Sequence, residues 1–383
     1  MPTALDEIIK RLTKDAQSAQ DTVRYLNCKP VQRSQVEQAF SKVLETLGKK
    51  KLSSIATLVG KIEKTESEFW YASDMLKPKE KMAVLYHPLL AQKIKKFSLA
   101  NCKLTLLPEE IIHFSSLTDL DLALNKMASF SPNLIKIQSI KKIRLSNNHL
   151  TFYPEELTQL RNLEELELNN NKIQSLPTSI SNLQNLSSLD LSANRLSQLP
   201  PQITELKKLA TLLLSDNKLK SLPENFGALS NLKQLNLWSW KNRIKSIPPS
   251  FGKLKNLEFL SLCSSEYMDN LKHIFDCTNL RILSLGLGKN EEIPPEIGGL
   301  NQLIRLEIYG ASKKPLIKTL PERIGELTAL KRLALYDLHN LQALPNTLSK
   351  LKNLQTLDVV GHSISKSDQA SISQLLPNCT MRF

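Results

Sequence analysis

Side chains capable of covalent or metal chemistry are few here, and poorly spaced for it. Six histidines (His87, His113, His149, His273, His339, His362) are scattered through 383 residues without His-Glu-x-x-His or any similar ligand spacing. Five cysteines (Cys28, Cys102, Cys263, Cys277, Cys379) include no Cys-x-x-Cys pair. An odd, dispersed set argues against a disulfide framework or a zinc site and for a reducing compartment, the cytoplasm. No phosphate-binding glycine loop, Gly-x-Ser-x-Gly or EF-hand spacing occurs, and 11 glycines leave little material for an anion cradle. Asp119 and Asp121 resemble an acid–base pair, but residues two apart on a strand share one face, so a solvated or partner-facing role fits them better. No catalytic residue, metal or cofactor is expected. What remains is the chemistry of recognition. Trp238, Phe259, Tyr309 and Tyr336 fall at outward places of a recurring pattern with Arg305 and Arg332 among them, and Trp240 and Tyr267 fall in adjoining loops. Trp, Tyr and Arg are the types enriched at binding hot spots. Glu165, Glu167 and Asp190 are the acidic candidates upstream.

The pattern comes from a repeat in the chain. Aligned on L-x-x-L-x-L-x-x-N-x-L, twelve blocks begin at Ile94, Leu117, Ile140, Leu163, Leu186, Leu209, Leu232, Leu257, Leu280, Leu303, Leu330 and Leu354, the first six steps being 23 residues each. Each block opens with period-2 apolar alternation, the mark of a short strand. A proline-initiated segment with helix-like apolar spacing follows, as in Pro201-Gln-Ile203-Thr-Glu-Leu206. One block cannot bury its own leucines, so neighbours must stack around a shared core. Asn125, Asn148, Asn171, Asn194, Asn217 and, after an insertion, Asn242 fall where the chain leaves the strand; a buried amide there would satisfy backbone groups of the bend. Cys102, Ser265 and Gly288 stand in for asparagine in repeats one, eight and nine. Extra residues follow the strands of repeats seven, ten and eleven, as in WSWKNR (238–243) and ASKKPLIK (311–318).

Residues 94–383 resemble the leucine-rich repeat family, in the short form written LPERIGELTALKRL at 320–333 and found in bacterial and Ras-group members. The resemblance implies an α/β solenoid: a right-handed, curved horseshoe of about twelve repeats (94–365) with a parallel concave sheet. The ending ISQLLPNCTMRF resembles a bacterial C-terminal cap, helix then edge strand, over 366–383. Residues 1–93 show amphipathic helical periodicity, as at Val36–Leu47 and Leu52–Ile62, and are expected to form an all-α domain or cap.

The net charge of +14 invites nucleic acid or anionic membrane as partner. The second, third and fifth repeat places, however, hold ten basic against nine acidic residues. A groove interrupted by acids is a poor nucleic-acid track. The sequence therefore points to a non-enzymatic scaffold binding a protein on its concave face, mainly at repeats 7–11. Two alternatives stand: electrostatic binding of nucleic acid or anionic membrane by the basic helical region, including Lys49–Lys51, or a recognition module of an immune receptor or of an effector delivered without a cleaved signal peptide. No stretch has the length and apolarity of a transmembrane span.

Overall fold

The computed structural model describes residues 94–264, 266, 268–310 and 317–383, together with Leu85, Ala91 and Gln92. The expected helices of 1–93, the loop residues Ser265 and Tyr267, and most of the insertion at 311–318 lie outside the described residues. Contacts divide the chain into two compact units, Met1–Asn171 and Lys172–Phe383.

In the first unit the repeats form strands β1 (Lys96–Ser98), β2 (Asp119–Asp121), β3 (Lys142–Arg144) and β4 (Glu165–Glu167). In the second they form β5 (Ser188–Asp190), β6 (Thr211–Leu213), β7 (Gln234–Leu237), β8 (Phe259–Cys263), β9 (Ile282–Gly286), β10 (Arg305–Tyr309), β11 (Arg332–Tyr336), β12 (Thr356–Val360) and β13 (Thr380–Arg382). Within each unit every strand pairs in parallel with the next in the chain, in register by repeat place. The period-2 pattern sets the faces: Leu189, Leu212 and Leu235 are fully buried, while places three, five and seven look outward.

Behind the strands the proline-led segments are 3-10 turns rather than α-helices, of five residues in Pro201–Glu205 and Glu322–Glu326 and of three in Phe226–Ala228. A 23-residue repeat leaves too few residues for several α-turns once the strand and both bends are made. The preceding proline holds an extended backbone (Pro200, φ −67°, ψ 144°) that delivers the chain into the turn. Two α-helices lie wholly among the described residues, α1 (Lys272–Phe275) and α2 (Lys366–Leu375). Helix α2 starts at Ser365, whose hydroxyl accepts from the Asp368 N–H at 3.1 Å, and the chain then runs into β13 beside β12.

A column of buried asparagines ties each repeat to the one before. Asn217 is fully buried; its Nδ2 donates to Leu191 O and Leu214 O, both at 3.0 Å, and its Oδ1 accepts from Leu196 N at 2.9 Å. Asn125, Asn148, Asn171, Asn194 and Asn242 accept in the same way from Leu104, Met127, Leu150, Ile173 and Leu219. Repeat nine keeps the device after all. Asn290, two places beyond Gly288, accepts from Met268 N and donates to Met268 O, both at 3.0 Å. The displacement of two residues is the one Asn242 shows, and a search allowing that shift would have found it. In repeats seven and eight Ser239 and Ser264 add a hydroxyl, bonded to Asn217 O (2.9 Å) and Ile244 O (3.0 Å). The residue before each regular asparagine takes a left-handed conformation: Leu124, Asn147, Asn170, Ala193 and Asp216 all have φ between 53° and 58°.

Candidate functional site

Strand length differs along the array, and that difference builds the site. In β2 and β5 the strand ends at the fifth place, whose side chain (Asp121, Asp190) accepts the N–H two residues on at 2.9–3.0 Å, and in β7 Asn236 does the same one residue before the strand ends. In β8–β11 that place holds Ser261, Ser284, Glu307 and Ala334, and the strand continues to the seventh place. Cys263, Gly286, Tyr309, Tyr336 and Val360 are thereby brought into cross-strand register.

Cys263 and Gly286 are small and leave a trough two strands wide. Trp240 reaches into it from the loop after β7: a Cβ built on Gly286 would lie 2.7 Å from Cys263 Sγ and 3.2 Å from Trp240 Cη2. The Trp238 ring stands 5.9 Å from that of Trp240 and 4.7 Å from Tyr309, and Tyr309 stands 5.0 Å from Tyr336. Strands lie about 4.8 Å apart, so Trp238 meets Tyr309, three strands away, only by lying across the trough. Each ring contact contributes about 0.5–1.5 kcal/mol. The row is therefore held in place by its own members, yet Trp240 remains 40% exposed and Trp238, Tyr309 and Tyr336 are half-buried. Phe259, at the third place of β8, makes no ring contact with this row among the described residues.

Beside the rings runs a polar network. The Glu307 carboxylate, 8% exposed, accepts from Ser284 Oγ (2.9 Å), Tyr309 Oη (3.3 Å), Arg305 Nε (2.7 Å) and Arg305 Nη2. Burial alone would raise its pKa, but the bonds from Arg305, Ser284 and Tyr309 outweigh it and hold the carboxyl below its ordinary value. Burial and the adjacent carboxylate push the Tyr309 hydroxyl up to about 12. On β11 the small Ala334 lets Arg332 reach both Asp358 Oδ2 (2.7 Å) and Tyr336 Oη (3.4 Å). Arg332 Nε is buried without a hydrogen-bond partner.

Glu165 and Glu167 lie on β4 of the first unit, matched against the basic residues of β3. Lys142 bonds Glu165 and lies 3.9 Å from Glu167, which also accepts from Arg144 Nε at 3.0 Å. Asp190, on β5, spends a carboxylate oxygen on Ser192 N. Asp121 is engaged by Ser98 Oγ (3.3 Å) and Ala123 N, and Asp119 by Thr118 Oγ1 (2.6 Å), so each carboxylate has its own structural bond. Cys263 is fully buried, and burial pushes its thiol well above the ordinary value, away from nucleophilic use. Among the described residues no three His, Cys, Asp or Glu side chains converge as a metal site would require, and no helix is long and apolar enough to cross a membrane.

A family model described as a leucine-rich repeat region matches residues 153–269 and 258–377. Among solved structures the chain is similar to a leucine-rich repeat protein of Leptospira interrogans, with 29% identity over 83% of this chain and 86% of that one, at a TM-score of 0.67. It is similar in fold to an internalin, InlF, of Listeria monocytogenes (21% identity, 80% and 87% covered, TM-score 0.66). It also resembles a chain from the octameric complex of Latrophilin 3, Unc5D and the leucine-rich repeat protein FLRT2 (25% identity, 73% and 87% covered, TM-score 0.56). A search of curated proteins finds no match.

Proposed function

Because this chain belongs to the leucine-rich repeat family, we propose that it is a non-enzymatic interaction module that binds a protein partner on the exposed sheet face of β7–β11. The observation that carries this reading is the Trp240–Trp238–Tyr309–Tyr336 row, part-exposed and already packed before any partner arrives. Aromatic anchors fixed in advance lose little conformational freedom on binding, which is what a hot spot requires. The FLRT2 complex, an assembly with other proteins, is consistent with such a role. Three of the described thiols, Cys102, Cys263 and Cys277, are buried core side chains rather than cross-links, which suits a reducing compartment such as the cytoplasm.

Affinity capture from the source lysate tests the reading, comparing wild type with Trp238→Ala/Tyr309→Ala at low and moderate salt. Retention of a protein at moderate salt by wild type alone is the expected result. Nucleic acid or lipid that leaves with salt and ignores both substitutions would move the activity to residues 1–93 and overturn it.

A further inference from the structure

The same face has a charge pattern that says what kind of partner it suits. Arg305 and Arg332 occupy the third places of adjacent strands and face each other directly in register. Like charges opposite one another on a sheet repel, so the pair persists only because each is tethered to a carboxylate: Arg305 to Glu307, Arg332 to Asp358. The tethers do not exhaust the donors. Each guanidinium has five N–H groups. Arg305 uses Nε and Nη2, and Arg332 uses Nη2 alone, leaving the Nη1 groups of both without a protein partner among the described residues and Arg332 Nε buried and unmatched. Both side chains remain open to solvent, at 47% and 38%. Lys331 and Arg281, both exposed, lie one residue before β11 and β9, and Glu258 holds the same place as Arg281 one repeat earlier. The two guanidiniums keep donors that their carboxylates do not use, and Tyr309 and Tyr336 stand four places further along the same strands.

We infer that Arg305 and Arg332 together form the anchor for an acidic peptide segment of the partner, an Asp or Glu side chain bridging the two guanidiniums while a neighbouring apolar or aromatic side chain lies on Tyr309 and Tyr336. The inference rests on the binding face proposed above and adds the chemistry of its occupant. Two arginines held in place by Glu307 and Asp358 keep their Nη1 donors in fixed positions for a carboxylate lying between them, which a flexible lysine pair would not.

The test uses the full chain against a displayed library of random 12-residue peptides, with phosphatidylserine vesicles as a parallel probe. Recovered peptides are expected to be enriched in Asp or Glu next to Phe, Tyr, Trp or Leu. Their affinity should fall about tenfold or more in Arg305→Gln/Arg332→Gln, and again in Trp238→Ala/Tyr309→Ala. Glutamine keeps the stem of each side chain, and the circular dichroism of each variant reports whether it folds; Arg305→Lys/Arg332→Lys, which keeps the charge, is expected to bind less tightly than wild type and more tightly than the glutamine pair. Peptides without acidic enrichment that need Trp238 and Tyr309 but ignore the arginines overturn the inference and leave the proposed function standing. Peptides indifferent to both variants, or a selection yielding none, count against both. Vesicle binding that depends on the arginines while no peptide does would make the occupant a lipid surface and overturn the inference.

Discussion

At the scale of the residue, Glu307 is the most consequential single side chain of the face. It positions Arg305 and Tyr309, two residues of the proposed contact, through bonds it keeps while buried. Its depressed pKa means that folding favours the ionised form. The stability it supplies is therefore complete above the unfolded carboxylate value of about 4.3 and is lost as pH falls through the lower folded value. Glu307→Gln is expected to cost about 1–3 kcal/mol at neutral pH. Urea titrations should show the gap between variant and wild type narrowing below about pH 4. Tyr309, pushed up to about 12, should stay protonated in a spectrophotometric titration well past the point where exposed tyrosines ionise. The sequence marked Tyr309, Tyr336, Arg305 and Arg332 by type and place, but it did not reveal the tethers. Ser284 and Glu307 are 23 residues apart, and nothing local marks the fifth-place carboxylate of Glu307 as one that will be buried by partners from the neighbouring strand.

At the scale of the element, two repeat positions set the geometry and invite opposite substitutions. Asn217→Ala would strand three buried backbone partners at about 1–3 kcal/mol each, so a loss of several kcal/mol in chemical denaturation is expected. Ala193, one residue before its own asparagine, has φ 53°, a conformation that costs a residue with a Cβ about 1–2 kcal/mol. Ala193→Gly should shift the urea midpoint upward, by an amount reduced by glycine's extra unfolded-state freedom. The asparagine column was legible because it obeys a fixed spacing; Asn290 escaped because it stands two places further along a repeat of unchanged length. The 3-10 character of the turns was not legible, since five residues carry the same apolar marks in either helix type. The trough was hidden as well: it depends on Cys263 and Gly286 being small side by side, and adjacency across strands appears only when the register is known.

At the scale of the whole molecule, stability comes from each repeat meeting its neighbours rather than from one central core. Gly227 marks one such junction in the second unit: a Cβ there would lie 1.7 Å from the Ser250 carbonyl oxygen in the next turn. Gly227→Ala should therefore destabilise by about 1–3 kcal/mol or more, since backbone cannot step aside cheaply. Hydrogen exchange should register the damage first in β6, β7 and β8, with β11 and β12 keeping more of their protection. The array itself was the most legible feature, because twelve recurrences of one pattern leave little freedom in how strands can pair.

The asparagine column also bears on how such a chain can change over time. Each buried amide joins only its own repeat to the preceding one, by the same bonds at every regular junction. Removal of residues 209–231, one full period, would bring Leu232 to the position Leu209 now holds and present Asn242 to Leu196 much as it now meets Leu219. Unequal crossing-over between repeats should thus shorten or lengthen the gene in whole units while leaving a foldable product. Length becomes an inherited variable, adjustable without disturbing the tethered arginines and the aromatic row further along the chain.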